Sequence, residues 1–488
     1  MIPSQTLFQV GRRLALSVIS LVVLPVVLPL GAQSPAPRAA ADTLRLSVED
    51  AVTLAQRQSD EVGIAAAQAE VADARFGAAR ANALPQLRLN STYTHVYESA
   101  RGQAVGSVFN QPNTYTVNAN LSQTLFQGGK LVNATRSAGE LREAARYDER
   151  EQRALVTLEV QRAYLQALYA ARIAALQDTN LALATSRLAQ VEQFERAGQA
   201  ARYDVLRARV ERANIEPLAI QAHSDQELAL LDLKRVLNVP IGQPVVLTSR
   251  IDAGAAAAVL AQLADTASTI DRASVRAAER TLASRKLDIS VARADYFPTI
   301  SAFIQSGYSA FPLVGQGFPT SRGSLDESFC PTGSAPGRLC QNGGFFSDRQ
   351  AGVNISLPLF DGFRVKSNVD LAQAQERLAE LELRQQREAV AVEAAQARAE
   401  LRRAQAVFAA RQQNSAEAAE AFRLASLRFS RGLSTQLEVS DAQLALLTAE
   451  STEARATFDL FLASADLARA LGQPIPLPPT VAAPAQSH

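Results

Sequence analysis

Glu438 and Asp441 stand three residues apart in the run Arg431-Gly432-Leu433-Ser434-Thr435-Gln436-Leu437-Glu438-Val439-Ser440-Asp441-Ala442. On a helix that spacing puts both carboxylates on one face, where they attract cations and repel each other at neutral pH unless paired. The same residues read equally well as a helix start. Thr435-x-x-Glu438 has the form of a capping box, and acids in a first turn favour the helix dipole. The two roles are compatible. A second glycine turn, Gly198-Gln199-Ala200-Ala201-Arg202-Tyr203-Asp204, also leads to an acid, and glycine after a long helix, as at Gly198 and Gly432, is first of all a C-cap.

Other groups capable of chemistry are sparse. The histidines are His95, His223 and His488 and the cysteines Cys330 and Cys340, none at metal-site spacing. There is no nucleophile elbow, metal pair or Gly-rich phosphate loop, so neither an enzyme nor a cofactor is expected. His95 reads as a solvated or hydrogen-bonded histidine. Cys330 and Cys340 lie in a segment rich in Pro, Gly and Ser. In an oxidising compartment they are expected to form a disulfide, worth about 3 kcal/mol against the unfolded ensemble. Lys+Arg 49 against Asp+Glu 48 leaves a formal charge of +1, no electrostatic footprint for nucleic acid.

Arg12 and Arg13 precede the apolar run Leu14 to Leu30, and small residues follow at Gly31-Ala32 and Ala39-Ala40-Ala41. Residues 1–41 therefore read as a signal peptide, cut after Ala32 or Ala41, which sends the mature chain out of the cytoplasm. At 488 residues the chain exceeds the roughly 250–300 at which one compact core stops growing, so several domains or an elongated shape are expected.

The elements that must hold these residues come in two copies. Leu125-Phe126-Gln127-Gly128 matches Leu359-Phe360-Asp361-Gly362 at an offset of 234, which also carries Gly198 onto Gly432 and Pro240-Ile241 onto Pro474-Ile475. Upstream, Ala79 to Pro85 matches Ala292 to Pro298 at an offset of 213, so the second copy holds 21 extra residues. The units are expected at 42–241 and 255–475, with a Pro-rich flexible tail at 476–488. Prolines are absent from Asn113 to Glu216 and from Leu359 to Gln473, stretches rich in Ala, Leu, Glu, Gln and Arg. This predicts long helices near 129–197 and 363–431, with shorter ones from Ser47 to Ala83 and Ala201 to Leu237, the latter kinked or broken at Pro217. Leucines seven apart, such as Leu158/Leu165 and Leu371/Leu378, fit packing of close helices. Period-two segments predict strands near 86–97, 115–126, 299–309 and 351–360.

Four strands per chain cannot close a barrel, yet their alternating apolar face must be buried, and lipid is the natural place. Two chains would give eight strands, nearly filled by side chains; three would give twelve and leave a lumen. With no tryptophan, an interfacial girdle would draw on Tyr93, Tyr97, Tyr115, Tyr308 and Phe303. A secreted structural or adhesive coiled-coil protein with soluble sheets is the competing reading.

Twofold repetition, Pro85 and Pro298 opening each first strand, Leu-Phe-x-Gly closing each second strand, and a glycine turn before an acid-Val-x-x-Ala helix start resemble the TolC-like outer-membrane efflux proteins. The resemblance covers Leu46 to Pro474. It implies an α+β membrane protein: a homotrimer with a 12-stranded barrel in outer-membrane lipid, continued by a helical tunnel through the periplasm. It further implies a periplasmic adaptor and an inner-membrane transporter as partners, and passive conduction of cargo. In that family, acids matching Glu438 and Asp441 narrow the periplasmic entrance, an acid matching Asp204 helps bolt it, and turns matching Gly198, Gly432 and Leu433 touch the adaptor. The chain departs from the pattern at Ser434, where the family has the bolt's arginine, and at Phe429, where tyrosine is common; Arg202 or Arg431 is the substitute to examine.

Overall fold

The computed structural model describes residues 43–98, 100–105, 113–249, 253–264, 270–312, 318, 345–431 and 433–478. The expected signal peptide, Gly432, the Cys330–Cys340 pair and residues 479–488 of the tail lie outside them.

In chain order the elements are β1 (Leu44–Leu46), α1 (Val48–Gln58), α2 (Asp60–Ala81), β2 (Gln86–His95), α3 (Ala100–Val105), β3 (Asn113–Gln127), α4 (Lys130–Arg196), α5 (Arg202–Val236) and β4 (Val245–Leu247). There follow α6 (Ala253–Ala264), α7 (Ala273–Arg293), β5 (Thr299–Ala310), β6 (Phe346–Ser356), α8 (Arg364–Ser430) and α9 (Gln436–Leu471). The chain is thus α+β and mostly helical. Helices α4 and α8 have 67 residues each, roughly 100 Å at 1.5 Å per residue. No helix among the described residues is long and apolar enough to cross a membrane.

Several elements differ from the sequence expectation. Helix α5 runs unbroken through Pro217, because Pro217 and Ala213 are both exposed and the carbonyl freed by the missing amide faces water. The stretch from Ser47 to Ala83 is two helices, divided at Ser59, whose backbone is extended (φ −66, ψ 130). Strand β6 starts at Phe346 and stops at Ser356 rather than spanning 351–360, since Pro358 offers the ladder no amide hydrogen. Strand β2 ends at His95, two residues earlier than expected.

Helix α4 is the spine: α1, α2, α5, α7 and α9 all pack on it, while α8 packs on α7 and α9. One core cluster surrounds Tyr164, whose hydroxyl donates to the Leu46 carbonyl at 2.8 Å and accepts from the Ser249 amide at 3.2 Å, fixing the parallel β1–β4 pair to the spine. A second cluster centres on Phe461 and Phe458. Ion pairs recur at the 234-residue spacing. Arg235 and Glu159 lie 3.4 Å apart, and 234 residues on, Arg469 pairs with Glu393. Asn238 and Gly472, at the same spacing, both take left-handed backbone just after α5 and α9 (φ 54 and 75).

Strands β2, β3, β5 and β6 form an open antiparallel sheet in that order, with β2 and β6 at the free edges. Register sorts the faces. Leu87, Leu121, Ile304 and Ala351 share one row and Leu89, Ala119, Ser306 and Arg349 the next; Tyr93, Tyr115 and Tyr308 follow on the same side. The opposite side carries Arg88, Asn90, Asn118, Asn120, Gln305, Gln350 and Asp348. Phe303 belongs to this polar side, paired with Ser122 and Gly352, so it cannot join the tyrosines; its ring covers the space where a Cβ on Gly352 would stand, 3.0 Å away. Tyr97 lies beyond β2, 4.8 Å edge-on from His95, which bonds Asn113 at 2.7 Å.

Candidate functional site

The ends of α4 and α8 far from the sheet carry the sequence-selected residues. Helix α4 closes with a left-handed Gly198 (φ +73), and the Gln199 amide donates to the Phe194 carbonyl at 2.8 Å, a six-to-one closure that needs glycine's backbone freedom. No atom lies within 4 Å of a Cβ placed on Gly198, so backbone alone dictates that residue. After α8, the Leu433 amide donates to the Arg428 carbonyl at 2.9 Å and the Leu433 side chain is 66% exposed.

Asp204 caps α5: its carboxylate accepts the Ala201 amide at 3.1 Å. It forms no ion pair among the described residues, and neither do Arg202 or Arg431. Thr435 caps α9, its hydroxyl accepting the Glu438 amide at 3.4 Å, while Glu438 and Asp441 are exposed and unpaired among the described residues. Only half of the expected capping box forms: the Glu438 amide serves the cap, while its carboxylate makes no bond back to the Thr435 amide and stays free.

The helix face behind these acids holds a polar cluster that sequence reasoning missed. Arg187 of α4, its side chain 13% exposed, donates to Ser440 Oγ at 2.7 Å and Gln443 Oε1 at 2.9 Å on α9, and reaches Glu211 of α5 at 3.4 Å. Gln443 in turn donates to Asn180 Oδ1 at 2.7 Å. Burial pulls the Arg187 guanidinium's pKa down and Glu211 opposes that pull. Positions 440 and 443 share one side of α9 and 438 and 441 the next, so the first turns present two faces: amide and hydroxyl toward α4, carboxylates away from it. The available signal was the break in the repeat, since Ala421 stands 234 residues after Arg187.

Residues 51–239 and 268–473 match the profile of the family described as outer membrane efflux protein. The chain belongs to that family. It is similar to the pyoverdine export outer membrane protein OpmQ of Pseudomonas putida, 25% identical over 445 residues, covering 87% of this chain and 85% of the relative. Outer membrane protein OprJ of Pseudomonas aeruginosa is 27% identical over 423 residues, covering 83% and 79%. Among solved structures, the CmeC outer membrane channel of Campylobacter jejuni superposes with a TM-score of 0.67 at 16% identity, covering 87% of this chain and 85% of that one. VceC of Vibrio cholerae gives 0.65 at 21%, covering 88% and 97%; these two likenesses establish the fold. The protein is an outer-membrane efflux channel that extends into the periplasm, and the competing reading of a secreted adhesive coiled coil falls away.

Proposed function

We propose that three copies of this chain close a 12-stranded cylinder in the outer membrane and that their helices continue it as a tunnel through the periplasm. One observation carries the reading. The four-stranded sheet has free edges at β2 and β6 and a face of exposed Leu87, Leu89, Val353 and Ile355, between 60% and 75% exposed in the single chain. Antiparallel addition of β6 to β2 of the next copy removes every free edge, and hydrocarbon covers the apolar face. The polar side, from Arg88 to Asp348, then lines a lumen that three copies leave open. On the helices, heptad-spaced Leu371 and Leu378 are each 57% exposed in one chain, a seam suited to another copy.

In this reading the duplicated units 42–241 and 255–475 supply alternate staves of the wall. Cargo arrives from an inner-membrane transporter through a periplasmic adaptor that meets the tips at Gly198, Gly432 and Leu433, and the chain conducts it unchanged. Glu438 and Asp441 of three copies gather as an acidic ring at the entrance. Arg187, bonded to Ser440 and Gln443, holds α9 against α4 and takes the bolting part first sought at Asp204.

Detergent extraction is expected to yield a trimer that heat dissociates, and planar bilayers to show discrete conductance steps. A monomer released into detergent-free buffer and silent in bilayers overturns the reading.

A further inference from the structure

Strands β2, β3 and β5 contain no Asp or Glu, and β6 contains Asp348 alone. Asp348 and the adjacent Arg349 point to opposite faces, because successive strand residues alternate. Arg349 pairs with Ser306 and shares its row with Leu89 and Ala119, so its side chain leaves the sheet on the apolar face. It is exposed and makes no ion pair among the described residues.

A charge on the lipid-facing side of a barrel is most destabilising at mid-membrane and becomes tolerable near the headgroups. The placement of Arg349 follows that rule. Three rows separate it from the helical end of the sheet, those of Ala351, Val353 and Ile355, with Gln123 in the Val353 row turning its amide to the Ala83 and Thr124 carbonyls, whereas Tyr308 is one row and Tyr93 and Tyr115 two rows nearer the other end. An arginine can run its apolar stem past such a row and lift its guanidinium to the level of the tyrosines. The strand that meets β6 when the cylinder closes is β2 of the next copy, which has no carboxylate either. The counter-anion must therefore come from outside the strands.

We propose that Arg349 binds the phosphate of an anionic lipid at the outer rim of the membrane, one site per copy, with Ser306 directly opposite and Tyr308 diagonal to it. The guanidinium fork matches phosphate oxygens two at a time, a pairing lysine reproduces poorly. This inference rests on the closed cylinder proposed above.

The test uses the full trimer in neutral detergent, with phosphatidylglycerol and phosphatidylcholine as probes and native mass spectrometry to count bound lipids. Wild type is expected to retain phosphatidylglycerol over phosphatidylcholine by about tenfold, Arg349→Lys less, and Arg349→Gln without preference. Inorganic phosphate at matched concentration is expected to leave the retained lipid in place. Equal preference in wild type and Arg349→Gln overturns the site, and displacement by inorganic phosphate assigns it to free anions instead. Loss of every lipid from wild type and variant alike, with a protein soluble without detergent, overturns the cylinder and the site with it.

Discussion

Arg272 of one repeat lies between two carboxylates, 2.7 Å from Glu151 on α4 and 2.8 Å from Glu393 on α8, with its side chain 6% exposed. Arg272 is the N-cap residue of α7, where a cation opposes the helix dipole, and in the first copy the corresponding N-cap of α2 is Ser59. The carboxylates offset that penalty and tie three helices together, and Arg469 completes the knot by pairing with both. Arg272→Ala leaves the enclosed Glu151 and the partly exposed Glu393 with Arg469 alone. A loss of about 3 kcal/mol in the denaturant unfolding free energy is expected, with Arg272→Lys intermediate. An unchanged midpoint in Arg272→Ala would mean that the knot contributes nothing net.

Repeat-related positions should respond differently at the helix ends. Gly472 has φ +75, and a Cβ there would stand 2.2 Å from the Asp271 carbonyl oxygen. Gly472→Ala is expected to lower stability by about 2 kcal/mol or more. Its counterpart Asn238 already carries a side chain at φ 54, so Asn238→Gly should change the unfolding free energy by about 0.5 kcal/mol or less.

Removing Arg187 leaves Ser440, Gln443 and Glu211 without their shared donor. Arg187→Ala is expected to destabilise by about 2 kcal/mol and to raise the open fraction in single-channel recordings. Arg187→Lys keeps the charge but cannot serve Ser440 and Gln443 through a fork, so it should retain part of the closed state. Unaltered gating with reduced stability would confine Arg187 to a packing role.

Glu438→Ala combined with Asp441→Ala is expected to reduce cation selectivity and block by multivalent cations, measured as reversal potential and current inhibition in planar bilayers. Both carboxylates are exposed, so the double variant should keep its melting temperature. Selectivity that does not move places the acids outside the conducting path.

Acid conditions offer a separate check at Asp466. Burial raises its pKa above the ordinary 3.8, against the pull of Arg162 and Arg469 and with further push from Glu393 and Glu400. A carboxyl whose folded pKa is raised holds its proton more tightly in the folded state, so the associated stability is complete at low pH and is lost as pH rises from 3.8 through the raised value. Asp466→Asn should therefore raise the melting temperature at about pH 7 and change it little at about pH 4. A variant less stable than wild type at neutral pH would mean that Arg162 prevails over burial.

Texture alone separated the helices from the strands. Long Ala-, Leu- and Glu-rich runs without proline are helical by local propensity, and Val353 and Ile355 alternating with Asn354 and Ser356 make a two-faced strand whatever the partner. The acids 438 and 441 were equally legible, because three residues of helix fix their common side. Ends were less so: Pro358 cut β6 short and Ser59 divided a helix, both local signals that periodicity overrode, while Pro217 did not break α5, where both it and Ala213, whose carbonyl it frees, are exposed.

What the linear order determined is the periodicity and the shared helix face of Glu438 and Asp441, which depend on neighbours within a few turns, and the motif matches at a fixed offset, which are read by comparing the chain with itself. Tertiary structure alone decided that Arg187 would reach Ser440, 253 positions away, and that Arg272 would settle against Glu151. Such contacts depend on how α4, α7, α8 and α9 rotate about their axes as they pack, a choice made by the sum of buried surfaces and not by any local run. The side chain of Phe303 obeyed the same logic: its aromatic character suggested the tyrosine side, but strand register set it over Gly352 on the polar one.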